Sequence, residues 1–255
     1  MKDRYGPWAV VAGASEGLGA AFATELAGRG LKLILAARRA DVLAALADRL
    51  PTETVPVVAD LATEAGLAAV AEAAADREVG LVVANAAYSP IGPFLTLDPA
   101  QSTRALDLNC RAPLALAHRF LPPMVSRGRG GFVVMSSLAG MQGSPPITVY
   151  AATKAFGAVL ADGLWAELRG TGVDVVACVA GAVATPNLAG TKAKRAPGTL
   201  PPERVVTAAL AALGHGPRVV PGLTSRLSAI VMSRLLPRRT AIAIISRASR
   251  DLTAS

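Results

Sequence analysis

Short apolar runs alternate with longer, helix-type segments along most of this chain, and this alternation limits the fold more than any other feature of the sequence. The longer segments are rich in Ala and Leu and cover residues 20–27, 41–50, 64–75, 97–126 and 149–169. The apolar runs suit buried strands and lie at residues 8–11, 31–36, 54–58, 81–84, 132–135 and 173–179, with a short seventh run at 218–220. Parallel strands need a crossover between them, which a helix usually supplies. We therefore predict an α/β fold with a doubly wound, mostly parallel sheet that carries helices on both faces.

The size of the chain fits one such sheet. Its 255 residues are 52% apolar, which is enough to bury a single large core. We predict one domain over residues 1–255, with a core at 1–186 followed by a substrate flap and C-terminal helices at 187–255. The flap is suggested by residues 186–202, which mix Pro, Gly, Thr and Lys beyond the sixth run. That segment is either a mobile flap beside a ligand site or an ordinary surface loop.

A glycine-rich segment joins the first apolar run to the first predicted helix. Gly13 permits a tight turn, Gly17 lets the backbone approach a pyrophosphate, and Gly19 lets the helix pack closely on the strand. Backbone N–H groups at the start of the following helix can bind the anion. The segment predicts a dinucleotide-binding loop, although a glycine pattern of this kind is weak evidence without further motifs.

The charge of the chain does not indicate a nucleic-acid partner. The formal net charge is +8, but the arginines are dispersed and no aromatic–basic cluster offers a platform for stacked bases. An anionic cofactor, an anionic substrate carrier or solubility accounts for the excess equally well. His118 and His215 have no Cys, Asp or Glu at ligand spacing, so no metal site is predicted.

Cysteine usage indicates a reducing compartment, and the hydropathy pattern predicts neither a signal sequence nor a membrane span. Cys110 and Cys178 lie far apart in apolar stretches, which fits buried thiols better than a disulfide framework. The first seven residues contain no apolar signal core, and no uncharged run approaches the roughly 18–20 residues that span a bilayer. We expect a cytoplasmic protein.

The residues most suggestive of chemistry are Ser137, Tyr150 and Lys154. The four-residue spacing of Tyr150 and Lys154 places both side chains on one face of a predicted helix. An ammonium near a phenol stabilises the phenolate and lowers the pKa of the tyrosine, which favours proton exchange with an alkoxide. Ser137 ends the preceding strand and can orient the same oxygen. Tyr and Lys occur at this spacing by chance often enough that the pair alone does not establish a catalytic site.

Six motifs follow one another as they do in the short-chain dehydrogenase/reductase family. They are Gly13-x-x-x-Gly17-x-Gly19, Asn85-Ala86-Ala87, Asn109, Ser137, Tyr150-x-x-x-Lys154 and Gly181-x-x-x-Thr185. Each motif has the expected strand or helix context, and the set covers roughly residues 8–186. The chain therefore resembles this family, which implies a Rossmann-type fold and oxidoreductase activity with a nicotinamide cofactor.

The resemblance also assigns roles to individual residues. It implies that Tyr150 is the general acid or base, that Ser137 polarises the carbonyl or alkoxide, and that Lys154 holds the nicotinamide ribose and tunes Tyr150. Asn109 completes this catalytic tetrad by anchoring a water in the proton relay. Asp60 and Leu61 match the adenine contacts of the family. The full set of cofactor contacts comprises Gly13, Ser15, Glu16, Gly17, Leu18, Gly19, Arg38, Arg39, Asp60, Leu61, Asn85, Ala86, Ala87, Tyr150, Lys154, Gly181, Val183 and Thr185.

Three positions depart from the family pattern. Ala12 stands where the family commonly has Thr, Ala87 replaces the Gly of the Asn-Ala-Gly motif, and Ala180 replaces the Pro that usually precedes Gly181. None of these changes removes a group that handles the proton or the hydride. The enzymatic interpretation is therefore kept, with a non-catalytic cofactor-binding relative as the alternative.

The end of the second strand favours NADP(H) over NAD(H). An acidic residue there would bind the adenosine ribose of NAD, whereas Arg favours the additional 2′-phosphate of NADP. The chain has Ala37, Arg38 and Arg39 in this region and no acid before Asp41. Alternatively, the two arginines only form an exposed helix entry. Glu16, near the phosphate loop, is mildly unfavourable to added negative charge.

These residues lead to an NADPH-dependent carbonyl reductase or alcohol dehydrogenase as the first hypothesis. Hydride would pass between the nicotinamide and a ketone or secondary alcohol, with Tyr150 exchanging the proton. Lys192, Lys194 and Arg195 either attract an anionic thioester carrier or belong to a solvated loop, so a 3-oxoacyl thioester reductase is a substrate-level alternative. The alternative from another class is a non-catalytic NADP-binding sensor subunit.

The sequence does not decide what the C-terminal segment contacts. Residues 223–250 combine apolar side chains with six arginines and are interrupted by Pro237. They resemble the tails of some membrane-associated members of the family and could lie on an anionic lipid surface. The favoured interpretation is a pair of helices that covers the substrate pocket or a subunit interface. By resemblance, the long helices at 97–126 and 149–169 would pair in a homodimer or homotetramer.

Overall fold

The computed structural model describes residues 1–185 and 198–248. Most of the segment predicted to form a flap, including Lys192, Lys194 and Arg195, lies outside the described residues. The described part contains one seven-stranded sheet in which all neighbouring strands are parallel. Its strands are β1 (Trp8–Ala12), β2 (Lys32–Ala37), β3 (Thr54–Val58), β4 (Val79–Ala84), β5 (Gly130–Ser137), β6 (Val173–Ala180) and β7 (Arg218–Val219).

Each predicted apolar run coincides with one of these strands, so the predicted sheet is confirmed. The α-helices before, between and after them are α1 (Lys2–Tyr5), α2 (Gly17–Gly28), α3 (Ala40–Ala47), α4 (Glu64–Ala73), α5 (Pro99–Leu106), α6 (Ala112–Arg127), α7 (Thr148–Glu167), α8 (Pro202–Ala211), α9 (Leu223–Ile230) and α10 (Arg238–Ala248). The sequence pattern predicted one helix over 97–126. In the structure, five residues in π-helical conformation, Asp107–Arg111, separate α5 from α6.

The sheet is covered on both faces, as predicted for a doubly wound fold. On one face, Phe22 and Leu26 of α2 pack with Leu43 of α3 and Leu210 of α8. On the other face, Val70 of α4, residues of α6 and Ala161 of α7 pack together. Alternate strand residues contribute to the two cores because successive side chains point to opposite faces of a sheet.

The strand order creates a crevice next to β1. The sheet runs β3-β2-β1-β4-β5-β6-β7, so the chain moves outward on one side of β1 and then on the other. In register, Val10 of β1 lies between Ile34 of β2 and Val82 of β4. Connections from β1 and β4 leave the sheet in opposite directions, and ligands bind at such a switch point beyond the carboxyl ends of the strands.

The C-terminal segment forms α9 and α10, in agreement with the favoured interpretation of a helix pair. Five π-helical residues, Val231–Leu235, follow α9. A Cβ added to Gly181 at the end of β6 would lie 2.5 Å from the hydroxyl oxygen of Ser225, so α9 packs beside the crevice. Leu223 and Leu227 point outward, with exposed fractions of 82% and 64%. None of the described helices is long and apolar enough to cross a membrane.

Candidate active site

A cleft of about 750 Å³ opens at the carboxyl ends of the strands. It brings together three of the four predicted catalytic residues and nearly all predicted cofactor contacts, from seven separate regions of the chain. The predicted residues that line it are Gly13, Ser15, Glu16, Gly17, Leu18, Arg38, Asp60, Leu61, Asn85, Ala86, Ala87, Ser137, Tyr150, Lys154, Gly181, Val183 and Thr185. Gly19, Arg39 and Asn109 do not line it.

The glycine loop has the conformation that its sequence requires. Gly13 has a φ of +81°, and a Cβ there would lie 2.7 Å from the Cα of Ala86. Gly19 lies beneath the loop, where an added Cβ would be 1.8 Å from the carbonyl oxygen of Gly13. The Asn85 side chain donates from Nδ2 to that same oxygen at 2.9 Å, which joins the end of β4 to the loop. These contacts confirm the tight turn and the close packing of helix on strand.

The middle glycine keeps space open inside the cleft. Gly17 begins α2 with a φ of +56°, and a Cβ there would lie 3.0 Å from Cγ2 of Thr185. A side chain at position 17 would therefore narrow the gap between the start of α2 and the segment that follows β6. The first turn of a helix presents unpaired N–H groups to this gap. The residues present fit the pyrophosphate of a dinucleotide.

Ser137, Tyr150 and Lys154 converge from β5 and α7. Ser137 is the last residue of β5, and Tyr150 and Lys154 lie one turn apart near the start of α7. The Tyr150 hydroxyl is hydrogen bonded to the Ser137 side chain. The Lys154 Nζ lies 5.5 Å from the centre of the Tyr150 ring and donates to the carbonyl oxygen of Met135 at 2.7 Å. Ser136 in turn donates to the carbonyl oxygen of Lys154 at 2.7 Å, so β5 fixes this part of α7.

Burial dominates the protonation of the pair. It lowers the pKa of Lys154 to about 8, because an ammonium loses hydration there. Burial also raises the pKa of Tyr150, and the hydrogen bond from Ser137 only partly opposes it. The predicted lowering of the Tyr150 pKa by Lys154 is therefore wrong for this arrangement. The ammonium is directed to Met135 rather than to the phenol, so it does not offset the loss of hydration.

Asn109 lies behind the cleft in the π-helical turn. Its Oδ1 accepts from the backbone N–H of Tyr88 at 2.8 Å, and its Nδ2 donates to the carbonyl oxygen of Tyr88 at 2.8 Å and to the Thr153 hydroxyl at 2.9 Å. The side chain thus joins the segment after β4 to α7. Its predicted role in a proton relay stays a prediction. Short π-helical turns occur frequently at functional sites.

Three charged side chains follow β2 and β3 at the end of the cleft that is predicted to bind the adenosine. Arg38 lines the cleft without an ion-pair partner among the described residues. Arg39 is turned aside, because its Nη2 pairs with Oε2 of Glu16 at 2.8 Å and lies 3.4 Å from the Ser15 hydroxyl. Asp60 also lines the cleft and follows the end of the neighbouring strand, β3. The two predicted arginines are therefore not equivalent.

Several residues of the cleft were not predicted from the sequence. Tyr88, Ser89 and Ile91 follow β4, and Ile147 precedes α7. The signal that could have found the first three is their position just after the Asn85-Ala86-Ala87 motif, at the carboxyl end of a central strand. Ile147 has no comparable signal. Among the described residues, no group of three His, Cys, Asp or Glu side chains could hold a metal ion.

Comparison with known families identifies the cleft. The model of the family described as short chain dehydrogenase matches residues 7–196. This chain belongs to the short-chain dehydrogenase family. It is accordingly an oxidoreductase that uses a nicotinamide cofactor, and the ordered motifs of its sequence correspond to the cleft described above.

Several proteins similar to this short-chain dehydrogenase are named for hydroxysteroid or 3-oxoacyl-CoA substrates. A 7beta-hydroxysteroid dehydrogenase of Clostridium sardiniense is 33% identical over 190 residues, which are 73% of each chain. A very-long-chain 3-oxoacyl-CoA reductase-like protein of Arabidopsis thaliana is 34% identical over 229 residues, 86% of this chain and 73% of the relative. A solved structure from work on 7beta-hydroxysteroid dehydrogenase stereoselectivity superposes with a TM-score of 0.89 at 25% identity and covers 96% of this chain and 98% of its own.

The three departures from the family pattern lie on the scaffold of this dehydrogenase. Ala12 ends β1 and pairs with Ala36 and Ala84 of the neighbouring strands. Ala180 ends β6 opposite Ser137. Ala87 follows β4 at the edge of the cleft. The cleft retains the hydroxyl groups of Ser137 and Tyr150 and the amine of Lys154.

Proposed function

We propose that this protein is an NADPH-dependent carbonyl reductase that converts ketones to secondary alcohols, with Tyr150 as the proton donor. One observation carries the proposal. The Ser137–Tyr150–Lys154 cluster lies in the same cleft as the glycine loop, so a bound dinucleotide and the proton donor would meet at one substrate. A nicotinamide cofactor would supply the hydride there.

The chain's own residues supply the proton and its control. As the carbonyl carbon accepts hydride, the C=O π bond breaks and negative charge develops on the oxygen. The Tyr150 hydroxyl transfers its proton to that oxygen, and solvent later restores the proton to Tyr150. Ser137, hydrogen bonded to Tyr150, orients the two oxygens. A raised pKa keeps Tyr150 protonated in the resting protein, which suits a reductase that must donate a proton.

The preference for NADPH rests on a cation at the predicted adenosine end of the cleft that has no ion-pair partner among residues 1–185 and 198–248. Arg38 follows β2 and lines the cleft, whereas Arg39 is paired with Glu16. No acidic residue stands between the end of β2 and Asp41 to accept a ribose hydroxyl. A guanidinium binds a phosphate through charge-assisted hydrogen bonds. Arg38 is therefore the residue we assign to the 2′-phosphate.

The relatives support a bulky, lipid-like ketone as the substrate. The similarity to a 7beta-hydroxysteroid dehydrogenase structure extends over nearly the whole chain. The similarity to a very-long-chain 3-oxoacyl-CoA reductase-like protein supports a 3-oxoacyl thioester as the second candidate substrate. Exposed Phe156 and Val159 on α7 support pairing of two subunits through this helix. A cytoplasmic location stays a prediction.

The decisive experiment follows NADPH oxidation by the purified protein against aliphatic, aromatic, steroidal and 3-oxoacyl ketones. We expect turnover with NADPH and loss of at least about 10³-fold in kcat for Tyr150→Phe, because the proton donor is removed while the ring remains. Binding of NADPH by the variant, measured by its fluorescence, should persist.

The cofactor assignment is tested in the same assay with a matched pair of variants. Arg38→Leu should raise the KM for NADPH by roughly tenfold or more and leave that for NADH nearly unchanged. Arg39→Leu should have a smaller effect, since Arg39 is paired with Glu16. Binding of NADPH without turnover in either direction on the whole panel would refute the reductase and favour the sensor subunit.

A further inference from the structure

A short loop after β3 lines the cleft next to Arg38. Asp60 and Leu61 of this loop line the cleft. The loop begins beside Arg38 because β2 and β3 are adjacent, with Ala37 paired to Val58. The N–H of Ala59 donates to the carbonyl oxygen of Ala37 at 2.9 Å, which continues the register of the two strands to the edge of the cleft. An Arg and an Asp therefore follow neighbouring strand ends at the adenosine end of the site.

A second arginine, from another element, compensates the charge of Asp60. The Nη2 of Arg104, on α5, donates to Oδ2 of Asp60 at 2.9 Å. The other carboxylate oxygen accepts from the backbone N–H of Ala62 at 3.1 Å. Burial favours a higher pKa for Asp60, but these hydrogen bonds and the nearby positive charges outweigh it, so the pKa is lowered and the group is an anion. Arg38 is among the charges that act on it.

The same helical stretch also holds the other end of the loop. Arg111, in the π-helical turn, donates from Nη2 to the carbonyl oxygen of Ala62 and from Nε to Asp107 at 3.1 Å. The loop is thus held by two arginines at different points. Of these two arginines, Arg104 contacts a carboxylate of the cleft and Arg111 does not, so they have different electrostatic consequences.

We propose that Arg104 is a positioning residue for cofactor choice. By holding Asp60 and compensating its negative charge, Arg104 leaves Arg38 available to the 2′-phosphate of NADPH. This inference rests on the proposed function. Without Arg104, the Asp60 carboxylate would lose its ion pair, and Arg38, at the neighbouring strand end, would be the cation left beside it. The two would pair, and the phosphate would have to compete with Asp60 for the guanidinium while facing an uncompensated negative charge.

Three reduced cofactors separate this effect from simple damage to the fold. Reduced nicotinamide mononucleotide lacks the adenosine half, NADH has the adenosine without the 2′-phosphate, and NADPH has both. For Arg104→Met we expect the Kd of NADPH to rise about tenfold, that of NADH to rise less, and that of the mononucleotide to stay the same. Binding is measured by the fluorescence of the dihydronicotinamide in each case.

Two further variants sharpen the result. In Arg104→Met/Asp60→Asn, the neutral amide no longer competes for Arg38, so the ratio of the NADH Kd to the NADPH Kd should return towards that of the wild type. Arg29→Met is the matched control, because Arg29 forms a similarly exposed ion pair with Glu25 on α2. It should leave all three constants unchanged.

The outcomes distinguish the inference from the function on which it rests. If the wild-type protein does not bind NADPH more tightly than NADH, the proposed cofactor is wrong whatever the variants do. If the wild type prefers NADPH, an unchanged preference in Arg104→Met overturns the inference. An equal loss for all three cofactors overturns it too, since that result would reduce Arg104 to a structural contact.

Discussion

Lys154 is a residue whose chemistry the fold alters strongly. Its side chain is buried, and its Nζ donates to the carbonyl oxygen of Met135. A single hydrogen bond does not replace the hydration of an ammonium, so burial lowers its pKa to about 8 from the ordinary value of 10.5. The folded protein therefore bears a cost for this lysine whenever it is protonated.

That cost predicts how stability depends on pH. Below pH 8 Lys154 is protonated in both the folded and unfolded states, and the full cost is present. Between pH 8 and about 10.5 the folded state has lost the proton that the unfolded chain still binds, so the folded state becomes relatively more stable as pH rises. The lowered pKa of Lys154 corresponds to a cost of roughly 3 kcal/mol at pH 7. Lys154→Met should thus be more stable than the wild type by about 2 kcal/mol at that pH, after roughly 1 kcal/mol for the lost hydrogen bond is subtracted.

Urea unfolding at pH 7, 8, 9 and 10 measures this difference. The advantage of Lys154→Met should shrink steadily between pH 8 and 10, and it should be smallest at pH 10. A difference in unfolding free energy that stays constant over this range would contradict a lowered pKa for Lys154.

At the residue scale, the sequence predicted which side chains meet but not what each is bonded to. Tyr150 and Lys154 are four residues apart in a helix, and this spacing alone places them on one face. The partner of Lys154 is the carbonyl of Met135, 19 residues away, and the partners of Asn109 lie at Tyr88 and Thr153. Contacts between distant segments depend on how β4, β5 and α7 pack, and no local pattern encodes them.

Among the elements, the junction of β1 and α2 tolerates the least change. Gly19 lies in the first turn of α2 against the carbonyl oxygen of Gly13, and a Cβ there would be only 1.8 Å from it. Gly163 of α7 offers the contrast, because nothing lies within 4 Å of a Cβ added to it. A methyl group added at Gly19 would therefore clash with the loop, whereas one added at Gly163 would meet no other atoms.

A pair of alanine substitutions tests this contrast. Gly19→Ala should lower the unfolding free energy by about 2–3 kcal/mol and weaken NADPH binding, since the loop that holds the pyrophosphate must move. Gly163→Ala should raise the unfolding free energy by roughly 0.5–1 kcal/mol, as expected for Ala over Gly in an exposed helix. Both values come from chemical unfolding, with cofactor fluorescence as the second measurement. Equal effects of the two substitutions would show that the loop adapts to the added methyl group.

At the element scale, all seven strands were predictable, whereas the break between α5 and α6 was not. Buried parallel strands are continuous apolar runs, which stand out in the sequence. The stretch 97–126 shows a helical composition throughout, and a π turn changes only which backbone groups pair: Ala112 donates to the carbonyl of Asp107, five residues back. Side-chain composition carries no clear signal of that change.

For the molecule as a whole, the C-terminal helices are the part whose role is least fixed by the family pattern. The sequence left open whether they cover the substrate or lie on an anionic lipid surface. The contact of Ser225 with the end of β6 supports a role beside the substrate. Leu223, Leu227 and Leu235 remain exposed on the outer side.

Removal of these helices should therefore leave cofactor binding intact and weaken the binding of the ketone substrate. A chain that ends at Gly222 should still bind NADPH, since the described cofactor contacts come from residues 13–185. Its KM for steroidal ketones should rise about tenfold or more, because apolar surface beside the substrate is lost. Steady-state kinetics and cofactor fluorescence measure the two effects.

Vesicles of anionic phospholipid provide the second arm of this experiment. Full-length and shortened chains should co-sediment equally little if the helices serve the cleft. Binding by the full-length chain alone, with an unchanged KM in the shortened one, would favour the lipid surface instead.

The order of the strands along the chain sets the order in which the residues of the site are synthesised. Synthesis completes β1, β2, β3 and then β4, which together form a contiguous half-sheet with the glycine loop, Arg38, Asp60 and Asn85 at its edge. Tyr150 is made 65 residues after Asn85, roughly 3–13 s later at common rates of translation. The nascent chain thus contains the residues predicted to bind a dinucleotide well before Tyr150, the proposed proton donor, is synthesised.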